Sequence, residues 1–137
     1  LMVSGGGTGM SALDAVYQAG GRPACTMDIT PGQIEEKTYL ATKAIVSRPN
    51  VKGLLAGSPF INFIPVDIKV RGTMRALEEL KIDPTEFPIV FRFDGPNIDA
   101  AKECAAALPG ICFLDAATPM EEAAIEIVKR TYGTDAL

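Results

Sequence analysis

Short apolar runs alternate along the chain with amphipathic segments, and this alternation predicts five strands and five helices. Leu1-Met2-Val3 reads as a first strand, and an opening this abrupt is expected of a domain taken from a longer chain. Met10 to Ala19 follows as a helix ended by Gly20-Gly21. Ala24 to Ile29 reads as a second strand. Thr30-Pro31 then offers an N-cap and a first-turn proline for a helix to Val46. Val51 to Ala56 forms a buried strand and Val66 to Leu80 a helix. Phe87 to Phe93 is the fourth strand, and Asn97 caps a helix ending before Pro109-Gly110. Ile111 to Leu114 is the fifth strand. Thr118-Pro119-Met120-Glu121 reads as a capping box opening the last helix, with apolar positions Ala123, Ala124, Ile127 and Val128 on one face.

Strands that alternate with helices imply a mainly parallel sheet covered on both sides. Right-handed crossovers leave few topologies. The expected fold is α/β, a flavodoxin-like three-layer domain with a five-stranded, mainly parallel sheet in the order 2-1-3-4-5. Ligands of such sheets bind beyond the carboxyl ends of the strands, at the switch point between the first and third. Two stretches meet there, Ser4-Gly5-Gly6-Gly7-Thr8-Gly9 and GSPFINFIPVD, residues 57–67.

The glycine stretch allows backbone N–H groups to approach an anion at the positive end of a helix. Gly5, Gly7 and Asp28 also imitate a dinucleotide fingerprint, although Met10 stands where a small third residue belongs. Anion binding, a plain strand-to-helix turn and a Rossmann-like nucleotide site all fit this stretch. In the second stretch, Asn62 is positioned to cap a helix whose first turn is Phe63-Ile64-Pro65. Its apolar residues equally suit the edge of a core or a docking surface. Arg92, at the end of the fourth strand, suits either a bidentate carboxylate clamp or a salt bridge to Asp94.

Composition narrows these readings. The chain has 137 residues, enough for one domain, with 47% hydrophobic and 22% charged residues, so a packed core is expected. A net charge of −4 without a basic stripe argues against nucleic acid. No apolar run reaches the roughly 18 residues of a membrane span, and no signal peptide is evident. Cys25, Cys104 and Cys112 lack metal-ligand spacing and read as reduced thiols of a cytoplasmic protein. Histidine is absent. Imidazole catalysis and histidine-ligated zinc are therefore excluded from this chain's own residues.

End to end, the chain resembles the C-terminal CoA-ligase domain of the ADP-forming acyl-CoA synthetases, the family of succinyl-CoA synthetase β subunits and ATP-citrate lyase. LMVSGGGTGMSALDAVYQAGGRPA resembles the family's strand, glycine turn and helix. ITPGQIEEKTYLATKAIVSRPNVKGLLA resembles the next helix and strand entry. GSPFINFIPVDIKVRGTMRALEEL and IVFRFDGPN resemble the lyase forms of the third and fourth units.

The resemblance implies a domain spanning residues 1–137, joined in the full protein to an ATP-grasp domain. That domain phosphorylates a histidine on an α-type partner, the phosphoryl group passes to a carboxylic acid, and CoA displaces it. The missing histidine would then be the partner's. Asn62 would face the phosphohistidine from a helix N-terminus. Ser4, Gly5, Gly6, Gly57, Ser58, Phe63, Ile64 and Arg92 would bind the acid. No cofactor or metal is expected on this domain itself; ATP-Mg and CoA serve the whole enzyme. Several positions depart from the family pattern. Ser4 stands for a usual asparagine, Phe60 to Phe63 for a glycine turn, Ile64 for a threonine, and Phe93 for one of two arginines. These losses imply an acid less charged than citrate, or one held mainly by backbone N–H groups. Two other functions stay open: a nucleotide module using Gly5, Gly7 and Asp28, and a non-catalytic interaction domain.

Overall fold

In a computed structural model, which describes residues 1–29, 35–60 and 64–133, ten elements alternate strictly between strand and helix. They are β1 (Met2–Val3), α1 (Gly6–Gln18), β2 (Met27–Asp28), α2 (Glu35–Val46), β3 (Leu54–Phe60), α3 (Val66–Glu79), β4 (Ile89–Asp94), α4 (Ile98–Ala106), β5 (Cys112–Leu114) and α5 (Met120–Tyr132). Every strand pairing is parallel, and the sheet order is β2-β1-β3-β4-β5. The expected three-layer α/β fold and its switch point between β1 and β3 are therefore present.

Alternation along the strands sorts the core onto two faces. Met2, Leu54, Ala56, Ile89, Phe91 and Phe93 pack under Val66, Val70 and Leu77 of α3 and the apolar sides of α2 and α4. Leu55 and Val90 face the other way, onto Val16 of α1 and Ala123, Ala124, Ile127 and Val128 of α5. The central strands read as unbroken apolar runs because both of their faces are covered.

The differences from the sequence reading concentrate at element starts. Helix α1 begins at Gly6, not Met10, with Gly5 at the N-cap position and a φ of 93°. The glycines are thus the first turn of the helix rather than a loop before it. Met10 is exposed, and Gly9 takes the small buried position toward the sheet.

Strand β3 continues four residues past Ala56, through Gly57 to Phe60. It does so because Gly57 pairs with Arg92 and Phe60 with Asp94, with a register shift between them. That irregularity accommodates Pro59, which has no N–H to give to the ladder.

Helix α3 starts at Val66, and its N-cap is Pro65 in an extended conformation (φ −60°, ψ 123°). Pro65 therefore precedes the helix instead of completing its first turn; residues 30–34, Asn62 with its expected capping role, and Phe63 lie outside the described residues. Asn97 does occupy the N-cap position of α4, but in the left-handed region with φ 63°, and its side chain makes no cap. Its Nδ2 donates to Asp67 Oδ1 at 3.3 Å instead. The capping box before α5 is also absent. Pro119 is the N-cap, with no side-chain cap bond, and Asp115 organises the turn by accepting from Ala117 N at 3.0 Å.

Candidate functional site

The carboxyl ends of β1, β2, β3 and β4 and the starts of α1 and α3 surround the switch point. Ser4 follows β1 there and is buried, its N–H donating to the Gly57 carbonyl at 3.0 Å. This bond joins the ends of β1 and β3. Next in the chain, Gly5 donates its N–H to Asp28 Oδ1 at 3.0 Å, tying the glycine turn to the end of β2. Gly6 and Gly7 are exposed, and open space lies where a Cβ would stand on either. As first-turn residues of a helix, their N–H groups have no intrahelical acceptor. The helix dipole adds a favourable field for an anion at the same point.

Beneath this turn lies a lysine. Lys69, one turn into α3, is 2% exposed. Its Nζ donates to Ser4 Oγ at 2.8 Å and to the Ile29 carbonyl at 2.5 Å. Burial pushes its ammonium below the ordinary lysine value, while the Asp28 carboxylate opposes that shift. Sequence reading passed over Lys69 because a lone lysine on an amphipathic helix usually faces water. A signal was there: Val66, Lys69, Val70, Thr73 and Leu77 have the spacing of one buried helical stripe.

Arg92 reaches across the end of β4, and not to Asp94. Its Nη1 donates to the Ser58 carbonyl at 2.8 Å and its Nε to the Thr118 carbonyl at 2.9 Å. The guanidinium thereby staples the bulged end of β3 to the approach to α5. Arg92→Met should destabilise the protein by about 2 kcal/mol in urea denaturation, since two carbonyls lose a charged donor. Arg92→Lys should recover less than half of that, because one ammonium cannot reproduce the planar fork. Full stability in Arg92→Met would refute the staple.

Ser58 is wholly buried, and its Oγ is the one buried side-chain polar atom without a hydrogen-bond partner among the described residues. Such an orphan is uncommon in a folded chain and calls for an explanation. Ile64 is also buried. At the start of α3, the Val66 N–H is taken by the Pro96 carbonyl at 3.0 Å. Asp67 is held by Asn97 and by an ion pair with Arg71. The structure thus brings Ser4, Gly5, Gly6, Gly57, Ser58 and Arg92 to one edge of the sheet. Among the described residues, no group of three or more His, Cys, Asp or Glu side chains could hold a metal ion, and no helix is long and apolar enough to cross a membrane.

Comparison with known proteins supplies the context for this edge. No family model matches the chain. The succinate–CoA ligase [ADP-forming] subunit beta of Chloroflexus aggregans is 38% identical over 122 residues, 89% of this chain and 30% of that protein. Its counterpart from Cereibacter sphaeroides is 34% identical over 132 residues, 96% of this chain and 32% of that protein. Among solved structures, ATP citrate lyase from Methanothrix soehngenii, in complex with citrate and coenzyme A, superposes with a TM-score of 0.76. It shares 25% identity and covers 94% of this chain and 35% of its own.

The chain belongs to the ADP-forming acyl-CoA synthetase family, as its C-terminal CoA-ligase domain.

This CoA-ligase domain spans about a third of the length of the curated relatives it matches. The match runs nearly end to end, so the glycine turn, β3 and the Arg92 segment all lie inside it. In the CoA-ligase domain the Asp28 carboxylate accepts from the Gly5 N–H and so ties the glycine turn to β2.

Proposed function

We propose that this domain supplies the acid-binding side of an ATP-dependent carboxylate–CoA ligase. The observation behind this reading is the near-complete match to ADP-forming ligases of a chain whose polar residues gather at the sheet's switch point. The acid's carboxylate would meet the Gly5-Gly6 turn at the α1 N-terminus, beside Ser4, Gly57 and Ser58. Ser58 Oγ would find its missing partner in that acid. Ile64 and Phe63 would help exclude water, and Arg92 would hold the Ser58 carbonyl in place.

The reaction would proceed in three transfers. The γ-phosphoryl group of ATP-Mg, held by an ATP-grasp domain, passes to a histidine and leaves ADP. A carboxylate oxygen of the acid then takes the phosphoryl group, giving an acyl phosphate and free histidine. The CoA thiolate attacks the acyl carbon and expels phosphate. These 137 residues contain no histidine; an α-type CoA-binding subunit or domain would carry that residue and the CoA site. Asn62 would face the phosphohistidine and Phe60 to Phe63 the partner surface. The domain itself would bind neither nucleotide nor metal.

The assembled enzyme should convert ATP, CoA and an acid to acyl-CoA, ADP and phosphate in equal amounts. Succinate, acetate and citrate are suitable probes, with citrate the poorest, because fewer polar anchors are available for three charges. Asn62→Ala should slow loss of the partner's phosphohistidine by about a hundredfold in a single-turnover experiment, as expected for one lost transition-state contact. An assembled enzyme that couples ADP release to no thioester with any of the three acids would overturn the reading.

A further inference from the structure

A buried ammonium is costly unless its charge and its donors are used. Lys69 is 2% exposed and sits on the stripe that α3 turns toward the sheet. A methionine of similar volume would fill that place without desolvating a charge. The placement of its donors shows what the lysine adds. One N–H donates to a lone pair of Ser4 Oγ at 2.8 Å, which leaves the hydroxyl's own hydrogen available as a donor. Another N–H holds the Ile29 carbonyl at 2.5 Å, just past the end of β2. The residue before Ile29 is Asp28, whose Oδ1 accepts the Gly5 N–H at 3.0 Å. One ammonium therefore braces both supports of the glycine turn: Ser4, which enters it, and the end of β2, which carries Asp28. It also makes α3 part of the same assembly.

We propose that Lys69 is a positioning residue for the acid site, setting the geometry of the Ser4–Gly6 turn without touching the acid. This deepens the ligase reading above and rests on it for the identity of the ligand. Lys69 acts through Ser4 Oγ and the β2 end, so its removal raises the KM for the acid. The ATP and CoA sites lie on other domains in that reading, so their KM values stay unchanged. A merely structural lysine would change stability and leave no such selectivity.

The test uses the assembled enzyme carrying Lys69→Met, with succinate as the acid. The KM for succinate should rise about tenfold, the lower range for loss of a supporting hydrogen bond, with kcat and the KM for ATP and CoA within about twofold. Ser4→Ala should shift the same constant, and the double variant should go little further, because both changes break one connection. A succinate KM unchanged in folded Lys69→Met would overturn the proposal. So would full additivity with Ser4→Ala.

Hydrogen exchange of the segment from Ser4 to Gly9 reads the positioning without any turnover. Exchange there should quicken about tenfold in Lys69→Met, or in Lys69→Gln should the methionine variant not fold. Unchanged exchange overturns the proposal. If the unaltered enzyme turns over no acid, the ligase reading falls, and exchange alone still decides the role of Lys69.

Discussion

Gly57→Ala is expected to destabilise the protein by about 3 kcal/mol in urea denaturation, the upper part of the range for overpacking a closed site. A Cβ on Gly57 would collide with the Arg92 carbonyl oxygen, while lying 3.2 Å from its carbon and 3.3 Å from Met120 Cε. The methionine end could swing away, but the carbonyl could not. It belongs to the backbone of β4, in register with Gly57 itself. Relief would require separating the two longest strands at the point where Ser4 also bonds to the Gly57 carbonyl. Under the ligase proposal, turnover should fall with stability, since Ser58 and Arg92 hang on the same pairing. A variant as stable as the parent would mean that β3 and β4 do not approach this closely.

Gly72→Ala carries the second large effect, and its sign is the diagnostic. Inside an exposed helix, the change from glycine to alanine stabilises by about 1 kcal/mol. Here a Cβ would stand 2.5 Å from the Glu35 carbonyl oxygen, 2.9 Å from Thr38 Cβ and 3.0 Å from the Tyr39 nitrogen. Two of those atoms are backbone of α2, so the helix itself would have to retreat. The net expectation is a loss of about 2 kcal/mol, overpacking outweighing the gain in helix propensity. Stabilisation by Gly72→Ala would show that α2 and α3 are less tightly seated. Because α3 carries Lys69, pushing it outward should also weaken the bond to Ser4.

The architecture was legible because both of its periodicities are strong. Apolar runs such as LLA and IVF mark strands covered on two faces, and the helical stripes between them allow one parallel order. Boundaries failed where proline and glycine have two uses. Pro65 and Pro119 read as first-turn residues, yet each precedes its helix in an extended conformation. Gly6 and Gly7 read as loop, though they form the opening turn of α1.

For the candidate site, the placement of its described residues was legible but their hydrogen bonding was not. Ser4, Gly57, Ser58 and Arg92 all reach the switch point, as their places at strand ends require. That Arg92 would spend its donors on the Ser58 and Thr118 carbonyls depends on a contact 26 residues away. Lys69 and Ser4 are 65 residues apart, and only the folded crossover makes them neighbours.

The two halves of the sheet are unequally laced. Strands β1 and β2 share two registered pairs, while β3 and β4 share five, interrupted by one irregularity. Local opening of the native state follows the weaker lacing. The β2 margin should thus be the first part of the sheet to fray, and Asp28, Ile29 and the glycine turn lie beside it. The domain keeps its more fully paired keel in β3, β4 and β5, with its glycine turn on the looser gunwale. Amino-acid changes that reshape the turn therefore strain two short pairings and leave the keel intact. Under the ligase proposal, such a layout would let one scaffold drift between acids of different size without refolding its core.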